Sequence, residues 1–203
     1  MTARMTARRR LAAASGALSL TLLLGACGGT SGTDAPAATS ASEQAATFGE
    51  ADTVFAQMMV VHHEGALEMA GYAAAEAETE EVRALAERIE AAQGPEIDLM
   101  TGWLGQWGEE MPDEADMGGM DHGGMDMEGM SQEEAMEELR GLSGTDVDRR
   151  FLELMIEHHR GAVEMAEEQL AEGENPEAVE LAGRIIEDQQ AEIAEMEGLL
   201  ADL

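Results

Sequence analysis

The chain has 203 residues, with 43 acidic and 11 basic side chains and a net charge of −32. A surface this acidic repels phosphate, which excludes nucleic acid as a partner. Aromatic residues make up only 3% of the chain, while Ala, Leu, Glu and Met, all strong helix formers, are common. No stretch alternates apolar and polar residues over strand length, so the fold class expected is all-α.

Residues 1–27 read as a lipoprotein signal peptide and are left out of the fold. Arg4, Arg8, Arg9 and Arg10 form a basic start, and Leu11 to Leu24 an apolar run. That run is too short for a membrane span of roughly 20 residues. The segment ends Leu24-Gly25-Ala26-Cys27, which resembles a bacterial lipobox, with Cys27 as the lipidation site. The expected location is therefore extracytoplasmic, with the chain lipid-anchored to the cell membrane. Cys27 is the only cysteine, so the mature chain has no disulfide and no thiolate ligand. Removing the signal leaves 7 basic and 43 acidic residues, a net charge of −36. Residues 28–47 are rich in Gly, Ser, Thr and Ala and read as a flexible linker. Residues 48–203 are left as one domain.

The first helix is expected from about Asp52 to Ala77, with Phe55, Met59, His62, His63, Ala66, Ala70 and Ala73 on one face. Thr79 is the N-cap expected for the second helix, followed by Glu80 and Glu81 in its first turn. This helix carries Val82, Leu85, Ile89, Ile97, Met100 and Leu104, with a kink expected at Gly94-Pro95. A third helix is expected from about Asp146 to Ala171. Asn175-Pro176 opens a fourth, which continues to about Leu200.

These helices are two copies of one unit. A shift of 96 positions aligns residues 52–104 with 148–200 without a gap, and 24 of the 53 positions are identical. The core of the repeat is Met59-Val-Val-His62-His63-Glu-Gly65-Ala-Leu-Glu-Met69-Ala. Its second copy is Met155-Ile-Glu-His158-His159-Arg-Gly161-Ala-Val-Glu-Met165-Ala. Two antiparallel hairpins predict a four-helix up-down-up-down bundle of ferritin-like type. Its pseudo-twofold axis would run along the bundle, making the first and third helices parallel and diagonal. One core layer would then hold Met59, Met100, Met155, Met196 and both His pairs. Met69 and Met165 would lie two turns away, serving a second site or filling core.

The side chains point to copper. Thioether sulfur is soft and selects Cu(I), whereas imidazole accepts Cu(I) and Cu(II) alike. Di-iron bundles use Glu-x-x-His. Here that spacing carries thioether, as Met59-x-x-His62 and Met155-x-x-His158, which moves the preference from iron to copper. An enzyme with a dinuclear centre would need inward carboxylates beside the His. Glu64 aligns with Arg160, Glu157 aligns with Val61, and the paired Glu68 and Glu164 fall on the outer face. The chain is accordingly expected not to be an enzyme. The alternatives are a ferritin-like dinuclear redox enzyme, or a structural lipoprotein whose His pairs and Met are merely core.

The insert between the hairpins, about 108–144, contains Asp-Met117-Gly-Gly-Met120-Asp-His122-Gly-Gly-Met125-Asp-Met127-Glu-Gly-Met130. It lacks apolar periodicity and reads as disordered without a ligand. Met117, Met120, His122, Met125, Met127 and Met130 are candidate metal-capturing side chains.

The repeated phrase Met-x-x-His-His-x-Gly-Ala-x-x-Met-Ala resembles the signature of the bacterial family called domain of unknown function 305, over about residues 48–203. The resemblance implies a ferritin-like fold in an exported protein. Some relatives, of the CopM type, are periplasmic copper-binding proteins that contribute to copper resistance. It also implies Met59, His62, His63, Met69, Met155, His158, His159 and Met165 as ligand candidates. The resulting expectation is a lipoprotein that buffers or chaperones copper, chiefly Cu(I) with Cu(II) also accepted. Its partners would be the metal ion, the membrane through its anchor, and a copper-transfer protein.

Overall fold

The computed structural model describes residues 47–111 and 130–203, which contain five helices. Helices α1 (Glu50–Glu76) and α2 (Glu80–Trp107) form one hairpin. A short helix, α3 (Gln132–Arg140), follows, and α4 (Thr145–Glu172) and α5 (Pro176–Asp202) form the second hairpin. The signal peptide with Cys27, and residues 28–46 of the linker, lie outside the described residues.

Local chemistry sets the helix ends. The Thr79 hydroxyl accepts from the Val82 N–H, and the Asn175 side chain accepts from the N–H groups of Glu177 and Ala178, with Pro176 opening α5. Helix α2 ends at Gly108, whose φ of 77° favours glycine. Helix α2 continues through Pro95 without a break.

Helix α3 departs from expectation, since it lies inside the insert read as disordered. Ser131 and Glu134 cap each other reciprocally, and Ala135, Met136 and Leu139 are buried at one-turn spacing. These signals are present in the sequence, directly beside a Gly- and Met-rich run that has none. The remainder of the Met-rich stretch, residues 112–129, lies outside the described residues.

The arrangement of the two hairpins corrects the up-down-up-down topology. Helix α1 packs directly on α4, not diagonally from it, while α2 and α5 flank this pair and meet only marginally. Helices α1 and α4 are also antiparallel. Asp52, in the first turn of α1, accepts from Gln169 near the end of α4 and from the N–H groups of Glu174 and Asn175 beyond it. Asp148, in the first turn of α4, accepts from the N–H groups of Glu78 and Thr79 beyond the end of α1. The order is therefore up-down-down-up, and the pseudo-twofold axis crosses the helices instead of following them.

This topology gives the insert a structural task. Helix α2 ends at the opposite end of the molecule from the start of α4, so residues 108–144 must travel back along a helix pair on the order of 40 Å long. A short turn cannot make that connection. Helix α3 belongs to this connection and packs on the bundle. It buries Met136 and Leu139 in the core and pairs Arg140 with Glu68 of α1 at 2.8 Å.

Candidate metal centre

The apolar core is interrupted midway along α1 and α4. One cluster gathers Met69, Leu85, Phe151, Met155 and Met196. The other gathers Phe55, Met59, Met100, Trp103 and Leu181. In sequence, the buried His62, His63, Gln93, His158, His159 and Gln189 fall between the two on all four long helices. A polar layer thus divides the core at the pseudo-twofold axis.

His62 and His158 meet on that axis. Their ring centroids are 3.6 Å apart, with ring planes 44° from parallel. Burial, and then the neighbouring imidazoles of His62, His159 and His63, push the pKa of His158 well below 6.5, against the opposing effect of a hydrogen bond that its ring donates to the His62 backbone. The ring is therefore neutral at pH 7, the form that binds metal.

His63 and His159 turn towards the second helix of their own hairpins. His63 Nε2 lies 2.8 Å from Glu96 Oε2, and His159 Nε2 lies 2.7 Å from Glu192 Oε2. A carboxylate at this distance fixes the proton on Nε2 and leaves Nδ1 as a lone pair. Nδ1 of both rings, and of His158, is buried with no hydrogen-bond partner among the described residues. A buried polar atom left without a partner costs about 1–3 kcal/mol. Among the described residues no group of three or more His, Cys, Asp or Glu is arranged to hold a metal ion, and these orphaned nitrogens are the atoms that an ion entering the layer would satisfy.

Glu96 and Glu192 correct the expectation that no inward carboxylate is paired across the repeat. They are identical under the 96-position shift, and each lies 33 positions after its His. Their side chains are 21% and 20% exposed. The repeat alignment contained this signal, but only the hairpin geometry brings each Glu to its His. Gln93 and Gln189 are a second identical pair of the repeat, and the structure buries both in the same layer.

The methionines are divided differently from expectation. Met59 and Met100 lie together in one apolar cluster, while Met155 and Met196 lie together in the other. The single layer of four is not formed, because antiparallel α1 and α4 carry Met59 and Met155 to opposite sides of the imidazoles. Met69 shares the cluster of Met155 and Met196, and Met165 packs partly buried against that of Met59 and Met100. In the insert, Met130 sulfur lies 3.4 Å from the Arg150 guanidinium. Met117, Met120, His122, Met125 and Met127 are outside the described residues.

The histidine layer opens to solvent through a cavity. This cavity, of about 450 Å³, reaches His62 and His158 between α1, α4 and the start of α3. Gln132 stands on its wall, with Nε2 donating to the Gly65 carbonyl at 2.9 Å.

A duplicated helical hairpin closing on a shared layer of buried imidazoles, with methionines in the apolar clusters on either side, defines an all-α protein with a buried histidine layer. The chain belongs to the DUF305 family, a domain of unknown function, which matches residues 52–200. It is similar to a putative secreted DUF305 protein from Streptomyces coelicolor at 36% identity and a TM-score of 0.66, over 75% of this chain and 91% of that one. A DUF305 fragment from Deinococcus radiodurans is 33% identical with a TM-score of 0.68, over 77% of this chain and 99% of that one. CopM in its Cu(II)-bound form is 36% identical with a TM-score of 0.62, over 74% of this chain and 96% of that one. CopM structures are also known with Cu(I) and with Ag. Among curated proteins there is no significant match.

Proposed function

We propose that this chain binds copper as cargo, outside the cytoplasm and tethered through Cys27, and that it buffers or hands on the ion without catalysing a reaction. The observation that carries this reading is the layer of buried imidazoles, in which Nδ1 of His63, His158 and His159 has no hydrogen-bond partner among the described residues, with methionines in the apolar cluster on each side. Imidazole accepts both copper oxidation states, and thioether favours Cu(I). The likeness to CopM, which is known with Cu(I) and Cu(II) bound, supports the choice of metal. The candidate ligands are His62, His63, His158 and His159, with Met59 and Met100 on one side and Met155 and Met196 on the other. Met69, Met165 and the insert's Met and His side chains are auxiliary candidates. Glu96 and Glu192 hold the outer imidazoles in place. The strongly acidic surface raises the local cation concentration.

Competition against a Cu(I) chelator tests this reading. The expected result is that the purified mature domain withdraws Cu(I), and that replacing all four His with Ala removes most of that capacity. No withdrawal by the wild type, or no change in the four-His variant, rejects it.

The His63–Glu96 and His159–Glu192 pairs favour a second reading, a dinuclear redox enzyme, because carboxylate and imidazole together suit iron or manganese. Oxygen consumption by the iron-loaded domain would support it.

A further inference from the structure

We infer that Gln93 and Gln189 set the charge selectivity of the histidine layer: as buried neutral amides they offer oxygen to a singly charged ion and no countercharge to a doubly charged one. The inference rests on the copper-binding reading and assigns its preference for Cu(I) over Cu(II) to two named residues. Gln93 is 3% exposed and Gln189 is 4% exposed. Both ends of the Gln93 amide, and Oε1 of Gln189, are buried with no hydrogen-bond partner among the described residues. Buried amides are ordinarily paired, because a stranded one costs stability. The repeat nevertheless carries the same side chain in both copies.

The two amides belong to the layer by their place on α2 and α5. Gln93 precedes Glu96 by three positions, and Gln189 precedes Glu192 by three. Each amide therefore shares the helix face whose carboxylate reaches His63 or His159. The carboxylates lie at the rim of the layer, 21% and 20% exposed, and the amides lie deeper. The buried atoms without partners are then Nδ1 of His63, His158 and His159 together with the amide groups, and none of them carries a negative charge.

Taking an ion out of water into such a layer has a desolvation cost that grows with the square of its charge. A divalent ion needs carboxylates within the layer to offset that cost, and Gln has nearly the shape of Glu without its charge. Glu64 and Glu68, which line the cavity, are exposed, so solvent screens them. The neutral amides thus favour the monovalent ion, in the same direction as the soft methionine sulfur. The stranded amides are the stability cost of this arrangement in the ion-free protein.

The test compares wild type with Gln93→Leu/Gln189→Leu, Gln93→Glu/Gln189→Glu and Gln93→Glu alone. Chelator competitions for Cu(I) and for Cu(II) run in parallel, and circular dichroism gives the melting temperature of each ion-free protein. The Leu variant is expected to bind Cu(I) about tenfold more weakly, the scale of losing a supporting group at a metal site. Without ion it should melt at a higher temperature than wild type, because its stranded amides are gone. The Glu variants should shift the ratio of Cu(II) to Cu(I) affinity towards Cu(II) by about tenfold or more, since a carboxylate attracts the second unit of charge as strongly as the first. Where the double Glu variant does not fold, the single one carries this comparison. Unchanged Cu(I) affinity in the Leu variant overturns the inference. So does a lower ion-free melting temperature, which would make the amides ordinary hydrogen-bonded core, and so does an unchanged affinity ratio in the Glu variants. A wild type that binds neither ion overturns the copper reading itself.

Discussion

Asp52 and Asp148 each hold the interhelical turn of the other's hairpin. Asp52 accepts from the N–H groups of Glu174 and Asn175, and Asp148 from those of Glu78 and Thr79. Asp52 and Asp148, Glu78 and Glu174, and Thr79 and Asn175 correspond under the 96-position shift, so the repeat is locked by an exchange of equivalent clamps. The exchange is possible only because α1 and α4 run antiparallel.

Removing a clamp should destabilise the molecule. Asp52→Ala leaves the 174–175 turn and Gln169 without their acceptor, at a cost of about 1–3 kcal/mol for stranded buried donors. Asp148→Ala should cost less, since its carboxylate accepts from two backbone groups and has no side-chain partner of the Gln169 kind. Thermal unfolding followed by circular dichroism measures both. Equal melting temperatures in all three proteins would show that the clamps carry no stability.

The same carboxylate predicts an acid limit. Burial raises the pKa of Asp52, but the hydrogen bonds from Gly49, Gln169, Asn175 and Glu174 together outweigh it and lower the pKa below 3.8. The native state therefore releases this proton more readily than the unfolded chain does. Its contribution is complete above about pH 3.8 and fades as the pH falls through the lower native value. Urea midpoints of wild type and Asp52→Asn should converge as the pH is lowered through that window. A gap independent of pH would mean that ionisation of Asp52 is not what stabilises the turn.

The division of the methionines predicts two separable Cu(I) positions. Replacing Met59 and Met100 with Leu conserves volume, and such swaps usually cost less than about 1.5 kcal/mol each. The variant should lose the Cu(I) capacity of that half and keep that of Met155 and Met196. Replacing all four should leave only imidazole binding. A first pair that abolishes all Cu(I) binding would instead indicate one shared site.

Glu96 and Glu192 should act through His63 and His159. Glu96→Ala frees the His63 ring to choose its tautomer, and the loss of such a supporting carboxylate typically lowers metal affinity 10- to 100-fold. Nitrogen NMR of the imidazoles should show the Nε2-protonated form in the wild type and a mixture in the variant. An unchanged tautomer would leave Glu96 as a surface-directed partner without influence on the centre.

The pairing of His62 with His158 followed from the sequence for an incomplete reason. Equivalent residues of a duplicated unit meet wherever a twofold axis passes, and the repeat guarantees only that an axis exists. An axis along the helices and one across them both bring the His pairs to one level. They differ in what happens to residues away from that level. With the crossing axis, Met59 and Met155 separate, and Asp52 reaches Asn175.

The sequence by itself determined the helices, their caps, the hairpin pairing and the soft-donor chemistry. All of these depend on residues close in the chain or on a gapless repeat. Helix α3 was equally readable from Ser131, Glu134 and the spacing of Ala135, Met136 and Leu139, but its neighbours' composition concealed it. Only the tertiary structure decided that α1 lies against α4 in the opposite direction, since helical periodicity marks the buried face without giving the direction of the partner that covers it. That one choice makes the insert a crossover, sets Gln132 against Gly65, and splits the methionines between two clusters on either side of the imidazoles.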